Sequence, residues 1–442
     1  MKKALVIISI LAVFAVLGVS VAALPIFDSN TDISLGLKDL DELSPEVQAL
    51  IDHDVEEALQ EIEAEKEAQA TPQSSEVVVE ESSDDTLAMA MTESATLGQV
   101  TCKIEPRGDG NYIVGYTAIS GTNPSLTLNS ATSLNIVGIA EGAFKGCKEL
   151  KAVDLSGSAI KNIGMSAFYG CTSLDTVTFP AGIEKIGGYA FINTPWLKKA
   201  RADANASSLK NRLVIVNGIL IDGIAAEGEV VAKSANGINE ISPYAFSYNS
   251  KMTKLTIDSI PVVPYRLCSS ATGLEELKVI NVNTLSPFSF FDCESLTKVT
   301  LDGVSIIDRA AFYSCYKLAT IEFGDVLTRI NNNAFMDCYA LEELTFPSTL
   351  VEIDVSGFLN CKGITKLTFL GTSSDGTAGY IFLGQGAFQN CTKLDVVTLD
   401  PDDSTKLKNL KTNGVQFKYT DATRTTGSKK ITFFGTKVEI PD

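Results

Sequence analysis

The chain has 442 residues, 45% of them hydrophobic, with 54 acidic and 36 basic residues and a net charge of -18. That is ample apolar material for a core, while the acidic balance excludes nucleic-acid partners, which need a basic face against phosphate. The only histidine is His53, so Ser-His-Asp and Cys-His catalysis and His-based metal sites have no basis in the rest of the chain.

At the N-terminus, Lys2-Lys3 precede an apolar run from Ala4 to Leu24, and Ser20, Val21, Ala22 and Ala23 offer a small-residue cleavage site. Residues 1–23 therefore read as a signal peptide and predict export to the cell surface or medium. The run is about 21 residues, long enough to span a bilayer, so an uncleaved signal anchor is the alternative. Such an anchor is the only membrane contact expected.

Residues 24–96 read as an acidic spacer, with twenty Asp or Glu against two Lys. The remainder of the chain is nearly neutral. A stretch this polar cannot bury enough apolar surface to offset its ordering entropy, so it is expected to be disordered or partly helical. Ser44-Pro45-Glu46 is a helix-start signal, a capping Ser before Pro at the first helical position. Behind it Ile51, Val55, Ala58 and Ile62 form a stripe spaced 4, 3 and 4. This is either a small coiled coil joining chains or a solvated acidic helix. Two heptads are few, which favours the second reading.

Residues 97–136 are rich in β formers, with Gly108-Asp109-Gly110 as a turn, and are expected to cap the first repeat of the region beyond them. From 137 to 400 one unit recurs: Ala-Phe-x-x-Cys-x-x-Leu-x-x-Val-x-Leu, closed by Ile-x-x-Ile. It starts clearly at Phe144, Phe168, Phe290, Phe312, Phe335, Phe358 and Phe388. Two units are degenerate, one at Phe246 and one after Leu267, the latter reading as one residue longer. A further start at Ala190-Phe191 breaks at Pro195-Trp196, opening an irregular insertion over 195–240. Within it, apolar runs flank Asn217-Gly218, a hairpin signal. The spacing of 30 between Phe358 and Phe388 places a surface insertion at Gly371–Tyr380. Residues 401–442 read as a C-terminal cap, with strands at 430–434 and 437–440.

The unit explains itself physically. Leu-x-x-Val-x-Leu is a short strand with alternate side chains inward. Phe and Cys three residues apart suit one helical or 3-10 turn. One unit cannot bury its own apolar face, but stacked units make a continuous core. A period near 23 lies in the leucine-rich-repeat range. The predicted fold is an α/β leucine-rich-repeat solenoid: β-rich, parallel strands on the concave face, short helical or 3-10 turns on the convex side. Seven of the nine cysteines hold one repeat position and read as a ladder of small buried hydrophobes with free thiols. Cys102 and Cys268 stand off that ladder and are the candidates for a disulfide, which the sequence leaves open.

The Ala-Phe-x-x-Cys-x-x-Leu unit, with Phe179-Pro180 and Phe346-Pro347, resembles the BspA-like leucine-rich repeat proteins. Ile139-Ala-Glu-Gly-Ala-Phe144 is similar to the opening of that family's first repeat, and Val216-Asn-Gly-Ile-Leu-Ile221 also fits the family. The resemblance covers about residues 97–400. It implies a curved solenoid, export, and attachment to host proteins or other cells, and it carries no catalytic residues.

No phosphate loop, catalytic constellation, metal site or cofactor motif stands out, and none is predicted. Carboxylate pairs leave a glycosidase as the least favoured alternative. The reading is a non-enzymatic surface protein that binds protein or glycan of a host or neighbouring cell. A structural, self-associating envelope protein is the alternative; the number of chains is left open. Candidate contacts are outward strand positions, Lys254, Glu276, Lys278, Lys298, Thr300 and Glu322, read first as stacking support and second as a ligand face. The aromatics Tyr169, Tyr313, Tyr316 and Tyr339, beside the Phe-Cys turn, read as exposed, and as either partly packed or available for binding.

Overall fold

The computed structural model describes residues 45–70, 93–129, 134–206, 212–370, 382–384, 386–394, 396–399, 411–412, 429–433 and 436–440. All belong to one compact unit, Leu37–Asp442. The segment 1–23, the insertion at 371–380 and most of 401–442 lie outside the described residues.

The array is a β-solenoid of about 11 turns. Each turn carries a main strand and a short second strand, and both stack in parallel register on their neighbours. The main strands run through Gly228–Lys233, Met252–Asp258, Glu276–Ile280, Lys298–Asp302 and Thr320–Glu322 as one five-stranded sheet. Three-stranded sheets continue the pattern before it, at Ser125–Thr127, Ala152–Asp154 and Thr176–Thr178, and after it, at Glu343–Phe346, Lys366–Phe369 and Val396–Leu399. Alternation decides which side chains enter the core. Leu277, Val279, Val299 and Leu301 are at most 2% exposed, while Lys278 and Lys298 between them face solvent. The closing Ile-x-x-Ile of each unit is the second ladder, as in Ile306–Ile307 on Arg329–Ile330 on Glu352–Ile353.

The Phe-x-x-Cys corner forms a third ladder. Within a turn it closes through i to i+3 bonds, as from Cys315 N to Phe312 O, 3.2 Å. Between turns Phe312 N donates to Ala334 O, 2.8 Å, and Phe335 N to Gly357 O, 2.8 Å. The rings therefore stack: Phe290 to Phe312, Phe335, Phe358 and Phe388 at 5.3, 5.1, 4.8 and 5.2 Å. The cysteine follows from the same geometry. From Cys171 on, the ladder thiols donate to the Phe-position carbonyl of the preceding turn, as Cys338 Sγ to Phe312 O at 3.1 Å and Cys361 Sγ to Phe335 O at 3.0 Å. A small hydrophobe with a weak donor suits that slot. All nine cysteines are buried and unpaired, and burial pushes the Cys171 and Cys391 thiols up to about 12.

Two residues of the corner sit in the left-handed region, two before and two after each Phe. For Phe335 they are Asn333 (φ 57) and Asp337 (φ 63); for Phe358, Ser356 (φ 56) and Asn360 (φ 62). Gly, and after it Asn and Asp, tolerate this backbone best.

The register corrects the sequence reading in two places. Ala271 N donates to Cys268 O, Cys293 Sγ also reaches Cys268 O, and Arg266 and Ser270 are the flanking left-handed residues. Cys268 therefore holds the Phe position and Ala271 the Cys position, and the unit after Leu267 has ordinary length. The second correction is a turn without a Phe. Gly223 N donates to Ala245 O and Ala226 N to Gly223 O, so Gly223 stands in the Phe slot. A Cβ on Gly223 would lie 2.2 Å from the Phe246 ring, so its bareness admits that ring.

The insertion is ordered by local rules. Thr194 caps helix α2 (Pro195–Ala206), its Oγ1 accepting from Leu197 N at 3.1 Å, with Pro195 at the first helical position. The break at Pro195-Trp196 is thus a helix start. Arg201 of α2 holds Asp222 through Nε and Nη2 at 2.9 and 2.7 Å, both side chains 7% exposed. The predicted hairpin is present: Val214–Val216 pairs antiparallel with Ile219–Asp222 across Asn217 (φ 48) and Gly218 (φ 86).

At the N-terminal end, Glu93–Leu97, Val100–Arg107 and Gly110–Ile119 form an antiparallel meander, and Gly110–Ile119 pairs parallel with Ile136–Ile139 of the array. The cap begins four residues before the expected boundary at 97. Near the C-terminus Lys429–Phe433 pairs with Thr436–Ile440. A long helix, α1 (Pro45–Ala70), lies inside the acidic segment where Ser44-Pro45 predicts one.

Candidate functional site

The candidate strand residues fall on one sheet. Lys254, Glu276 and Lys298 are in register across three strands, and Lys278, Thr300 and Glu322 form the adjoining column. Lys254 Nζ pairs with Glu276 at 3.0 Å. Lys298 turns the other way, to Glu322 at 3.6 Å, and Thr300 Oγ1 donates to Glu322 at 3.2 Å. These pairs are exposed to solvent and screened by it, so each adds little to stacking.

The candidate aromatics lie elsewhere and separate. Tyr316 and Tyr339, each just after its Cys, stack at 5.3 Å, and Lys362 of the next turn sits over Tyr339 at 5.1 Å. Both phenols are half-buried, which pushes Tyr316 up to about 12. Tyr313 is not exposed: it is 4% accessible, its ring edge-on to Phe291 of the preceding turn at 5.4 Å. Tyr169 is buried too, for a reason the repeat does not contain.

That reason is α1, which lies against the Phe-Cys corner of the early turns. Val47, Ile51 and Val55 are at most 3% exposed. Ile51 and Val55 belong to the predicted apolar stripe, and they meet the array instead of a second chain or solvent. Gln48 Nε2 donates to Tyr169 OH at 2.7 Å, Tyr169 also bonds Asp52, and Glu56 pairs with Lys145. At the centre Asp54 is 4% exposed. Its Oδ2 accepts from Tyr248 OH at 2.7 Å and Tyr189 OH at 3.1 Å, and its Oδ1 faces Arg266 Nη1 at 3.5 Å. Arg266 Nη2 also lies 3.5 Å from Glu57. Burial raises the Asp54 carboxyl above its ordinary range, against the pull of Arg266 and of the two phenol hydrogen bonds.

The ledge beneath α1 is built from strained positions. Two residues before each Phe the left-handed site holds Gly142, Ser166, Ala310, Asn333, Ser356 or Gly386 in most turns. In four it holds Tyr189, Tyr244, Arg266 and Phe288, with φ between 49 and 62. Bulky residues are outliers there, at about 1–3 kcal/mol each. Their rings interlock, Tyr189 to Tyr244 at 4.5 Å and Tyr244 to Tyr265 at 5.7 Å, and the Arg266 guanidinium lies 5.1 Å over Phe288. Reading the chain for exposed strand positions misses this set. The signal was the residue before each Ala-Phe, as in Tyr189-Ala190-Phe191 and Tyr244-Ala245-Phe246.

Among the described residues no group of three or more His, Cys, Asp or Glu is placed to hold a metal, and no helix is long and apolar enough to cross a membrane. The architecture defines a leucine-rich-repeat protein. A family model for the BspA type leucine rich repeat region matches six copies, over residues 113–214, 231–318, 263–382 and 305–438. The chain belongs to that family. Similar solved structures include a leucine rich cell surface protein of Faecalibacterium prausnitzii, 18% identical, covering 73% of this chain and 98% of that one, TM-score 0.31. The pneumococcal vaccine antigen PcpA is 14% identical, with coverage of 72% and 90% and TM-score 0.35. A leucine-rich repeat protein of Bacteroides ovatus is 15% identical, with coverage of 69% and 94% and TM-score 0.26. No curated protein matches the chain.

Proposed function

We propose that this is a non-enzymatic, exported cell-surface protein whose solenoid binds protein or glycan of a host or neighbouring cell and so mediates adhesion. The observation that carries the reading is the five-stranded main sheet. Its inward residues complete the core, while Lys254, Glu276, Lys278, Lys298, Thr300 and Glu322 stand outward in register and contribute little to stability. A regular polar face that the core does not need is free to be shaped by a ligand, and solenoids offer such extended surfaces for binding. Family membership supports the same reading. The stacked Tyr316 and Tyr339 with Lys362 give a second, more aromatic contact.

The test is binding of the full chain to immobilised extracellular-matrix proteins, to a glycan array and to whole cells, beside Lys278→Glu/Lys298→Glu. Saturable binding that falls at least about tenfold in the variant is expected, as for loss of charge-assisted contacts. No binding across the panel, or binding indifferent to the variant, overturns the reading for this face.

A further inference from the structure

The contact between α1 and the corner ledge is more specific than packing requires. A helix held only to cover apolar surface would place a hydrophobe at its centre, because a buried ion pair gains little over a well-packed apolar side chain. Here the centre is Asp54, and two phenol hydroxyls and a guanidinium converge on it from three different turns. Other turns of the array close the same corner with Gly, Ser, Ala or Asn, so the fold itself does not demand Tyr189 or Arg266 in left-handed backbone. Strain at positions whose polar ends meet one carboxylate marks a recognition device. Tyr and Arg are also the residues that dominate binding energy at protein interfaces. The hydrogen bonds named between α1 and the ledge all run between side chains, so α1 can leave without breaking a strand ladder.

We propose that Tyr189, Tyr248 and Arg266 form a receptor for a carboxylate carried on an amphipathic helix. Residues 45–59 fill it as an intramolecular ligand, which an acidic helix of a partner protein displaces. The partner presents the chemistry of α1 itself: a carboxylate beside apolar side chains one turn apart, like Asp54 beside Ile51 and Val55. The tether raises the local concentration of α1, so the receptor stays masked until a competing helix binds better. This deepens the adhesion reading and rests on it, adding a second, gated face on the corner side of the array.

The probe is a fluorescent synthetic peptide of residues 44–62, followed by anisotropy against the full chain. In Ile51→Asp/Asp54→Lys/Val55→Asp the chain's own helix cannot seat, and this variant is expected to bind the peptide at least about tenfold more tightly than the unaltered chain. Adding Arg266→Ala, or changing the peptide's Asp54 to Asn, is expected to reverse that gain. A folded variant that ignores the peptide, or that binds the Asn peptide equally well, overturns the proposal. Hydrogen exchange of the unaltered chain avoids dependence on the triple variant. Excess peptide is expected to speed exchange over residues 47–55, and unchanged protection at saturating peptide overturns displacement. Cell binding by the full chain with no peptide binding would sink this proposal while leaving the adhesion reading intact.

Discussion

The turns from Phe290 to Phe388 and those from Phe144 to Cys268 obey one inward pattern and differ at the corner. In the later turns an unbroken Phe stack runs beside a complete Cys ladder, and the left-handed positions from Ala310 onward carry small or polar residues. In the earlier turns Cys268 and Gly223 replace Phe, helix α2 replaces a strand, and Tyr189, Tyr244 and Arg266 occupy left-handed backbone under α1. The buried Phe slot of the corner tolerates Cys268 or bare Gly223, and the left-handed positions that flank it diverge further because they lie at the rim of the core. A repeat can lose its Phe and remain a turn, because the three backbone ladders are carried by neighbours.

Substitutions can break this contrast between the two halves. Phe312→Ala, in the middle of the regular stack, is expected to cost about 3–5 kcal/mol in denaturant unfolding, since a fully buried ring leaves a cavity between two others. A loss below about 1 kcal/mol would mean that the stack is not the core of this half. In the irregular half the matching liability is polar. Arg201→Ala strands Asp222 in a buried site and is expected to cost about 3 kcal/mol, with Arg201→Ala/Asp222→Leu recovering part of it. No recovery in the double variant would show that packing of α2, not the ion pair, was lost.

A third test uses pH. Burial raises Asp292 to about 7, with Glu294 adding to the rise and a hydrogen bond from Ser270 Oγ at 3.0 Å opposing it. The folded protein holds this proton more tightly than the unfolded chain does, so stability falls as pH rises from about 4 through 7. Asp292→Asn keeps a residue suited to the left-handed backbone, as at Asn360 and Asn390 of other turns. It is expected to flatten that slope and to stabilise the protein by about 1–3 kcal/mol above pH 7. Parallel pH profiles for both proteins would exclude a raised Asp292 carboxyl. The smallest effect belongs to the strand face: a Lys254–Glu276 double-mutant cycle is expected to give a coupling smaller than any of the above, fading with salt. A coupling as large as those would make the face a support of the array, contrary to its proposed use as a binding surface.

Much of this was legible in the sequence. The recurring Phe, Cys, Leu and Val specify the inward slots because alternation and the corner spacing are local. Asn217-Gly218 specifies a hairpin because both residues accept positive φ, and Pro45 suits the first position of α1 because its missing N–H is not needed there; Pro195 reads in the sequence only as a break, and the Thr194 cap shows it to be a helix start. The strand candidates lie in register on one face for the same reason. The rest needed neighbours. Cys268 is a Phe-position residue only because the adjoining turns hydrogen-bond to it there, and Gly223 holds a turn only because Phe246 fills the space above it. Tyr313 is buried by a ring from another turn. Where the acidic helix goes was decided by tertiary structure alone. Its apolar stripe is a property of its own sequence, but its seat on Tyr189, Tyr248 and Arg266 depends on turns more than 130 residues away.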